Sequence, residues 1–350
     1  MNRRDFLRTS AAVTATATAG PLILGASDKA GGKTPTVGTG AHVYECHHGW
    51  GTLPPGLEWQ TTHNVAVDAA GLVYITHQGI GKKMDTVLVF DPAGKFVRSF
   101  GKTWHGGGHG VDVRKEGNEE FLYLCNTWVN PKVVKATLKG DIVWQKERPP
   151  TPEYADPKAR YSPTNVAFDP AGGFFVGDGY GSHYMAKYDA AGNLAKTFGG
   201  QGTADGKFKT PHGNWVDTRD PAKPTLVVCD RANARLQTFT LEGNFLSKTA
   251  PGTVLFPANI DTRGDVMLVS DLHARVTLLG PKGDVLAHLG DDPEWRAKVL
   301  ANNNQMRSRP AEWQAGKFVH PHDACFDAAG NIFVAEWVVG GRVTHLKKVA

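Results

Sequence analysis

Three histidines lie in similar local phrases far apart along the chain: His109 in Gly-His-Gly-Val-Asp, His212 in Pro-His-Gly-Asn-Trp-Val-Asp and His322 in Pro-His-Asp-Ala-Cys-Phe-Asp. A neutral imidazole is a common ligand of zinc and other transition metals, and three protein ligands leave a position open for water or substrate. A histidine can equally bond a nearby backbone group without any metal. The shared phrase therefore predicts a metal site only if the fold brings the three residues together.

The phrase belongs to a repeat, in which an apolar alternation ends in Asp, a Gly follows, and a second apolar run ends in a polar residue. Its copies begin at His63, His109, Thr164, His212, Ala258 and His322. A Gly-containing turn between two further β-patterned runs follows each copy except the last, as at Asp91-Pro92-Ala93-Gly94. Four short strands per copy are typical of a β-propeller, in which each sheet packs against its two neighbours.

The expected fold is therefore all-β, a six-bladed propeller of four-stranded blades over residues 41–350. The last copy stops after its third strand, at Arg342 to Lys347, so we expect His42 to Glu45 to supply the missing strand and close the ring. The segment 291–317 interrupts the last interval between copies. We interpret it as a partly helical loop over one face, either a lid or a decorated connection.

In a propeller, the residue at the start of each innermost strand lines one mouth of the central channel. His109, His212 and His322 come from blades 2, 4 and 6, so alternate blades would present three imidazoles to one ion. His63 of blade 1 is a candidate fourth ligand or a support for the ligands. The prediction is a metal site at the hub.

Two further residues follow the second strands of their blades. Tyr180 could act as a base beside a metal, and Arg231 could hold a carboxylate or a developing oxyanion. The alternatives are an aromatic side chain packed at a turn for Tyr180, and a structural ion pair with Asp230 or Asp178 for Arg231.

The N-terminus reads as an export signal. Asn2-Arg3-Arg4-Asp5-Phe6-Leu7 precedes a weakly apolar Ala/Thr stretch and then small residues, the order of a twin-arginine signal peptide over 1–26. We expect a linker over 27–40 and a periplasmic or secreted protein.

Composition excludes several classes of function. Thirty-nine basic and 34 acidic residues are scattered along the chain, which argues against nucleic-acid binding. No later segment provides the roughly 20 apolar residues of a membrane span. The four cysteines form no Cys-x-x-Cys pair and do not suggest a disulfide scaffold. We expect a monomer that acts on a small-molecule or peptide-derived substrate.

Several phrases resemble the NHL-repeat propeller of the peptidyl-α-hydroxyglycine α-amidating lyases. They are Phe175-Val176-Gly177-Asp178-Gly179-Tyr180, Thr210-Pro211-His212-Gly213, Val228 to Gln237 and His320-Pro321-His322-Asp323. The resemblance implies a zinc ion held by His109, His212 and His322, with Tyr180 as the catalytic tyrosine and Arg231 as an active-site arginine. It also implies a structural calcium held by the Asp323 carboxylate and the carbonyls of Val65 and Val111.

The chain departs from this family at three places. It has His77-Gln78-Gly79 where the family has His-Arg-Gly, so a neutral amide replaces an arginine expected to engage the substrate. His320 stands in place of a methionine, and Gly181 follows Tyr180 in place of a cysteine. We therefore count His63, His77, Gln78 and His320 as candidates for substrate contact or for support of the ligands.

Two classes of function remain open. One is an exported metal-dependent enzyme that cleaves the C–N bond of an α-hydroxyglycine or a related hydroxylated substrate, or that acts as a hydrolase or lyase on a sugar derivative. The other is a non-catalytic propeller that binds a protein or glycan and has a structural metal in its channel. A catalytic metal, whether zinc, iron, copper or manganese, needs an open position, whereas a structural one would be closed by a fourth ligand such as His63 or His320.

Overall fold

The computed structural model describes residues 34–80 and 84–349. The predicted signal peptide and residues 27–33 of the predicted linker lie outside these residues. The described chain forms six antiparallel sheets arranged as a β-propeller. The all-β six-bladed fold predicted from the repeat is confirmed.

Blades 1 to 5 each contain four consecutive strands, which pair in chain order. Blade 1 has β3 Thr62–Val67, β4 Val73–His77, β5 Val87–Phe90 and β6 Phe96–Phe100; blade 2 has β7 Gly108–Glu116, β8 Glu119–Asn126, β9 Lys132–Thr137 and β10 Ile142–Lys146. Blade 3 has β11 Asn165–Phe168, β12 Phe174–Gly177, β13 Tyr184–Tyr188 and β14 Leu194–Gly199; blade 4 has β15 Pro211–Asp217, β16 Thr225–Asp230, β17 Arg235–Phe239 and β18 Phe245–Lys248. Blade 5 has β19 Pro257–Arg263, β20 Val266–Asp271, β21 Arg275–Leu279 and β22 Val285–Leu289.

Blade 6 joins the two ends of the chain. Its strands are β23 Pro321–Phe326, β24 Ile332–Glu336, β25 Arg342–Lys348, β2 His42–His48 and β1 Thr36–Thr39. β2 pairs antiparallel with β25, with Cys46 opposite Leu346, so the predicted closure by an N-terminal strand is confirmed. This pairing covers the edge of β25, which would otherwise be free.

Part of the segment predicted as a linker is a strand in the structure. β1 pairs with β2 at the outer edge of blade 6, which therefore has five strands. The reason is local: Val37 is buried in the hydrophobic cluster between blades 5 and 6, together with Leu289 and Leu346. A short alternating stretch gains enough apolar contact there to become part of the sheet.

The core consists of one apolar layer between each pair of neighbouring blades. Val111 of blade 2, for example, packs with Tyr74 of blade 1, and Cys229 of blade 4 packs with Val269 of blade 5. All four cysteines are buried and unpaired. These layers fix the innermost strands around the channel.

The insertion contains the helix α1 Pro293–Asn304 and two short 3-10 turns, Gln305–Ser308 and Pro310–Glu312. Asp292 caps α1 by accepting hydrogen bonds from the amides of Glu294 and Trp295. Three of its apolar residues, Trp295, Val299 and Met306, are buried against the propeller. The partly helical character predicted for 291–317 agrees with these elements. Within the described residues, no helix is both long and apolar enough to cross a bilayer.

Candidate active site at one mouth of the channel

Three imidazoles from alternate blades form a nearly equilateral triangle. His109 lies in β7, His212 in β15 and His322 in β23, and each is almost completely buried. The ring centroids are 4.8 Å apart for His109 and His212, 4.8 Å for His109 and His322, and 4.7 Å for His212 and His322. The structure thus brings together the three residues that the repeat placed at equivalent positions.

Each of these rings is held by a backbone carbonyl of the next blade. The Nδ1 atoms of His109, His212 and His322 lie 2.9, 2.7 and 3.0 Å from the carbonyl oxygens of Thr164, Ala258 and His63. A carbonyl only accepts, so each Nδ1 carries the proton and each Nε2 has a free lone pair. Such a carbonyl partner is the usual support of a metal-ligating histidine.

Burial keeps these imidazoles neutral. Desolvation lowers the pKa of His109 to about 3, and it holds the pKa values of His212 and His322 well below the usual range of histidine. The neighbouring Arg231 guanidinium lowers all three pKa values further. Neutral imidazole is the form that binds a metal ion.

The backbone of each triangle histidine is also tied to the preceding blade. Thr76 Oγ1 donates to the carbonyl of His109, Thr164 Oγ1 donates to that of His212 at 2.6 Å, and Ser270 Oγ donates to that of His322 at 3.1 Å. Each ligand candidate is therefore fixed from both sides.

The unprotonated Nε2 atoms suit a divalent transition metal. His109 Nε2 and His212 Nε2 lie 3.1 Å apart, and His322 Nε2 is buried with no hydrogen-bond partner. Two nitrogens of a tetrahedral zinc site, each roughly 2.0–2.1 Å from the ion, are about 3.3 Å apart. Two lone pairs facing each other at this distance need a cation or a proton between them. The donor set of three imidazoles suits zinc and related metals.

His63 lies beside the triangle. Its ring centroid is 4.9 Å from that of His109 and 4.8 Å from that of His322, and one nitrogen from each of these three residues lies within 4.8 Å of the others. Both ring nitrogens of His63 are buried without a partner. The predicted alternatives for His63, fourth ligand or support, both agree with this position.

Tyr180 and Arg231 converge on the same point. The Tyr180 hydroxyl lies 2.9 Å from His212 Nε2, to which it can donate, and it accepts a hydrogen bond of 2.8 Å from Arg231 Nη1. Arg231 is buried, its Nε lies 3.4 Å from the carbonyl of Pro257, and its Nη2 has no partner. Burial lowers the pKa of this guanidinium.

The alternative partners of Arg231 are occupied elsewhere. Asp230 pairs with Arg235 at 2.7 Å, and Asp178 accepts hydrogen bonds from the Ser162 amide and the Tyr154 hydroxyl. Arg231 therefore faces the phenol and the histidines instead of a carboxylate.

Trp128 was not identified by the sequence analysis. Its ring centroid lies 5.1 Å from that of His63, 5.3 Å from that of His109 and 6.0 Å from that of Tyr180. The side chain is 37% exposed, so it forms a partly open wall of the site. The available signal was its place just after Asn126, where β8 ends at the same mouth.

The remaining candidates lie around this centre. His77 uses both ring nitrogens in bonds to the backbone, accepting from the Gln60 amide and donating to the Asp85 carbonyl. Gln78 is half-buried, and its backbone N–H donates to the carbonyl of Thr61. His320 donates through Nδ1 to the Leu272 carbonyl, and its Nε2 is buried without a partner. Burial lowers the pKa of His320 to about 4.

A second cluster contains the predicted calcium residues. The Asp323 carboxylate accepts hydrogen bonds from the amides of Val65, at 2.9 Å, and Ala324, at 2.8 Å. Val111 is buried in β7, and the next residue, Asp112, has an Oδ2 atom buried without a partner. Burial and the nearby Asp323 and Asp261 raise the pKa of Asp112 well above its usual range.

Carboxylate and carbonyl oxygens are the ligands that calcium prefers, and a calcium ion at this cluster stays a prediction. The sequence analysis missed Asp112 and Asp261, which lie three residues after His109 and Ala258, inside the innermost strands β7 and β19.

Comparison with known proteins agrees with this architecture. Residues 1–20 match the family of twin-arginine translocation pathway signal sequences, so the chain carries a signal for export to the periplasm or beyond. The chain is 27% identical over 257 residues to NHL repeat-containing protein 3 of Mus musculus, covering 68% of this chain and 70% of that protein.

It is also 27% identical over 271 residues to peptidyl-α-hydroxyglycine α-amidating lyase 1 of Drosophila melanogaster, covering 72% of this chain. That match spans 47% of the Drosophila protein, about half its length.

Solved structures share the fold. A gluconolactonase from Xanthomonas campestris superposes with a TM-score of 0.60 at 14% identity, covering 89% of this chain and 94% of that one. A streptogramin B lyase superposes with a TM-score of 0.58 at 13% identity, covering 86% and 97%. The chain is thus an exported six-bladed β-propeller that resembles NHL-repeat proteins and the peptidyl-α-hydroxyglycine α-amidating lyases.

Proposed function

We propose that the protein is an exported metal-dependent lyase that cleaves the C–N bond of an α-hydroxyglycine or a related hydroxylated small substrate. The observation that carries this proposal is the convergence of three buried, neutral imidazoles and the Tyr180–Arg231 pair on one point. The likeness to the Drosophila lyase supports the same class of reaction.

His109, His212 and His322 would hold the ion through their Nε2 atoms. A divalent zinc ion bound there would act as a Lewis acid on an oxygen of the substrate. The backbone bonds to Nδ1 fix the ring orientation, so little reorganisation is needed when the site is loaded.

Tyr180, as its phenolate, is placed to accept the proton of the substrate hydroxyl. Removal of this proton leaves the O–H bonding pair on the oxygen, where it forms the second bond of a carbonyl while the C–N pair departs with the amide nitrogen. That nitrogen takes up the proton that Tyr180 accepted. The products are a primary amide and glyoxylate, so atoms and charges balance. Arg231, 2.8 Å from the phenol oxygen, would stabilise the negative charge of the phenolate before it accepts the proton. Trp128 shields one side of the site from water.

The direct test uses α-hydroxyhippurate with zinc-loaded protein. We expect release of benzamide and glyoxylate, and a loss of roughly 100- to 10,000-fold in kcat for Tyr180→Phe, the usual range for removal of a general base. Tyr184→Phe, a nearby tyrosine on β13, is the matched control and should keep its activity. Equal activity of the Tyr180 and Tyr184 variants would contradict the assigned role of Tyr180. No turnover by the wild type on this substrate or on other hydroxylated acids would contradict the lyase.

A non-catalytic propeller with a structural metal is the second candidate. It is favoured by one observation: both nitrogens of His63 are buried and unpaired within reach of His109 and His322. A fourth imidazole would close the coordination sphere and leave no position for a substrate. Metal coordination by four histidines, together with no turnover, would support this alternative. A sugar-lactone hydrolase rests only on the shared fold.

A further inference from the structure

Arg307 lies on the insertion and reaches toward the candidate active site. Its carbonyl accepts a hydrogen bond of 2.9 Å from the amide of Val339, which ties the turn Gln305–Ser308 to the blade 6 loop. Its guanidinium carbon lies 3.3 Å from the ring centroid of Trp337. These two contacts fix the side chain with its planar face on the indole.

Most N–H donors of the Arg307 guanidinium form no hydrogen bond with the described residues. Its one hydrogen bond within residues 34–80 and 84–349 is a long one, 3.4 Å from Nη2 to Thr61 Oγ1, and its Nε is buried without a partner. No carboxylate of those residues forms an ion pair with it, whereas Arg342 of blade 6 binds Glu336 at 2.5 Å. An arginine fork with five N–H donors is suited to binding a planar anion.

Arg307 shares a neighbourhood with the histidines. Thr61, which its Nη2 approaches, precedes β3 by one residue and lies two residues before His63. The carbonyl of Thr61 accepts from the backbone amide of Gln78, so the backbone of the sequence-predicted substrate residue Gln78 is joined to the residue that Arg307 approaches. Burial lowers the pKa values of both His63 and His320, and the nearby Arg307 charge lowers them further.

The mouth of the channel therefore contains two arginines, Arg231 and Arg307, without carboxylate partners among the described residues, beside neutral imidazoles. Arg231 is already bonded to the Tyr180 hydroxyl, whereas the donors of Arg307 are almost all unused. We propose that Arg307 binds an anionic group of the substrate, a carboxylate, so that the insertion selects hydroxylated acids over neutral hydroxylated compounds. This inference rests on the proposed function only for the position of the reacting hydroxyl.

Binding of glycolate and glycolamide to the zinc-loaded protein tests the proposal without relying on turnover. The two probes carry the same hydroxyl and differ in a carboxylate or a neutral amide. Calorimetry or ligand-observed NMR should show that Arg307→Gln weakens glycolate binding about 10- to 100-fold, the range for one charge-assisted contact. Glycolamide binding should not change. Arg307→Lys, which keeps the charge but loses the planar fork, should be intermediate.

Arg309→Gln is the matched control, because Arg309 lies on the same segment with its side chain 45% exposed. It should bind both probes like the wild type. Melting temperatures of all variants check folding, and if Arg307→Gln is unstable, the Lys variant alone carries the test. Equal glycolate affinity in the Arg307 and Arg309 variants, or no preference of the wild type for glycolate, would overturn the proposal.

The outcomes also separate this inference from the proposed function. Loss of glycolate selectivity in Arg307→Gln, with no lyase turnover by the wild type, would support the anion site at Arg307 and contradict the proposed lyase activity. Turnover of α-hydroxyhippurate with an unchanged KM in Arg307→Gln would support the proposed lyase activity and contradict the anion site at Arg307.

Discussion

The odd and even blades have the same backbone but different tasks at the hub. In blades 2, 4 and 6 the repeat position is His109, His212 or His322, and each imidazole points into the channel. In blades 1, 3 and 5 the same position is His63, Thr164 or Ala258, and its carbonyl accepts from the imidazole of the blade before it.

Hydroxyls of the odd blades, from Thr76, Thr164 and Ser270, hold the other side of each ligand candidate. Six equivalent blades thus create a site with threefold geometry, because alternate copies supply either a ligand or its support. The support comes from the backbone and from short hydroxyl side chains, so it can be present where the repeat shows no histidine.

Removal of an even-blade ring should have the largest effect on this arrangement. We expect His322→Ala to weaken zinc binding more than about 100-fold, beyond the usual cost of losing a supporting contact, because one of three ligand nitrogens is lost. Chelator competition measures this. His288→Ala, on the outer strand β22, is the control and should bind zinc like the wild type. If the zinc affinity of His322→Ala stayed within a few-fold of the wild-type value, His322 would not be a ligand and the contrast between even and odd blades would be wrong.

An odd-blade hydroxyl should affect stability and, less strongly, the metal. Thr164→Val removes the hydrogen bond of 2.6 Å to the His212 carbonyl and leaves a buried acceptor unpaired. We expect the free energy of unfolding to fall by about 1–3 kcal/mol and zinc affinity to fall about 10-fold. Denaturant unfolding of the apo protein and chelator competition give the two values. Thr240→Val, in a hairpin turn of blade 4, is the control and should bind zinc like the wild type. If Thr164→Val lost as much zinc affinity as His322→Ala, Thr164 would do more than support the His212 backbone.

Among the odd-blade residues, His63 is the one that has a side chain able to bind the metal as a fourth ligand. If His63 is a support, His63→Gln should lower zinc affinity by no more than about 10-fold, since the three even-blade nitrogens remain. The carbonyl that accepts from His322 Nδ1 belongs to the backbone and persists in the variant. A loss equal to that of His322→Ala would identify His63 as a fourth ligand and favour the structural role of the metal.

The repeat predicted the hub because its phase fixes which residue of each blade starts the innermost strand. That phase was enough to predict the six blades, the closure by β2 and the proximity of His109, His212 and His322. It could not predict Arg307, because the insertion has no counterpart in the other copies and its position depends on packing against Trp337 and Val338.

β1 was missed for a related reason: its burial depends on Val37 meeting residues of blade 5 that are far away in sequence. Trp128 follows the end of β8 in a turn whose path the alternation of β8 does not determine.

X-ray absorption at the metal edge of the protein purified after export tests the central account most directly. We expect about one zinc or related ion per chain, with three imidazole nitrogens and at least one oxygen ligand in its coordination sphere. Four imidazoles would mean that His63 or His320 closes the site, and the absence of bound metal even after reconstitution would contradict the account of the even blades.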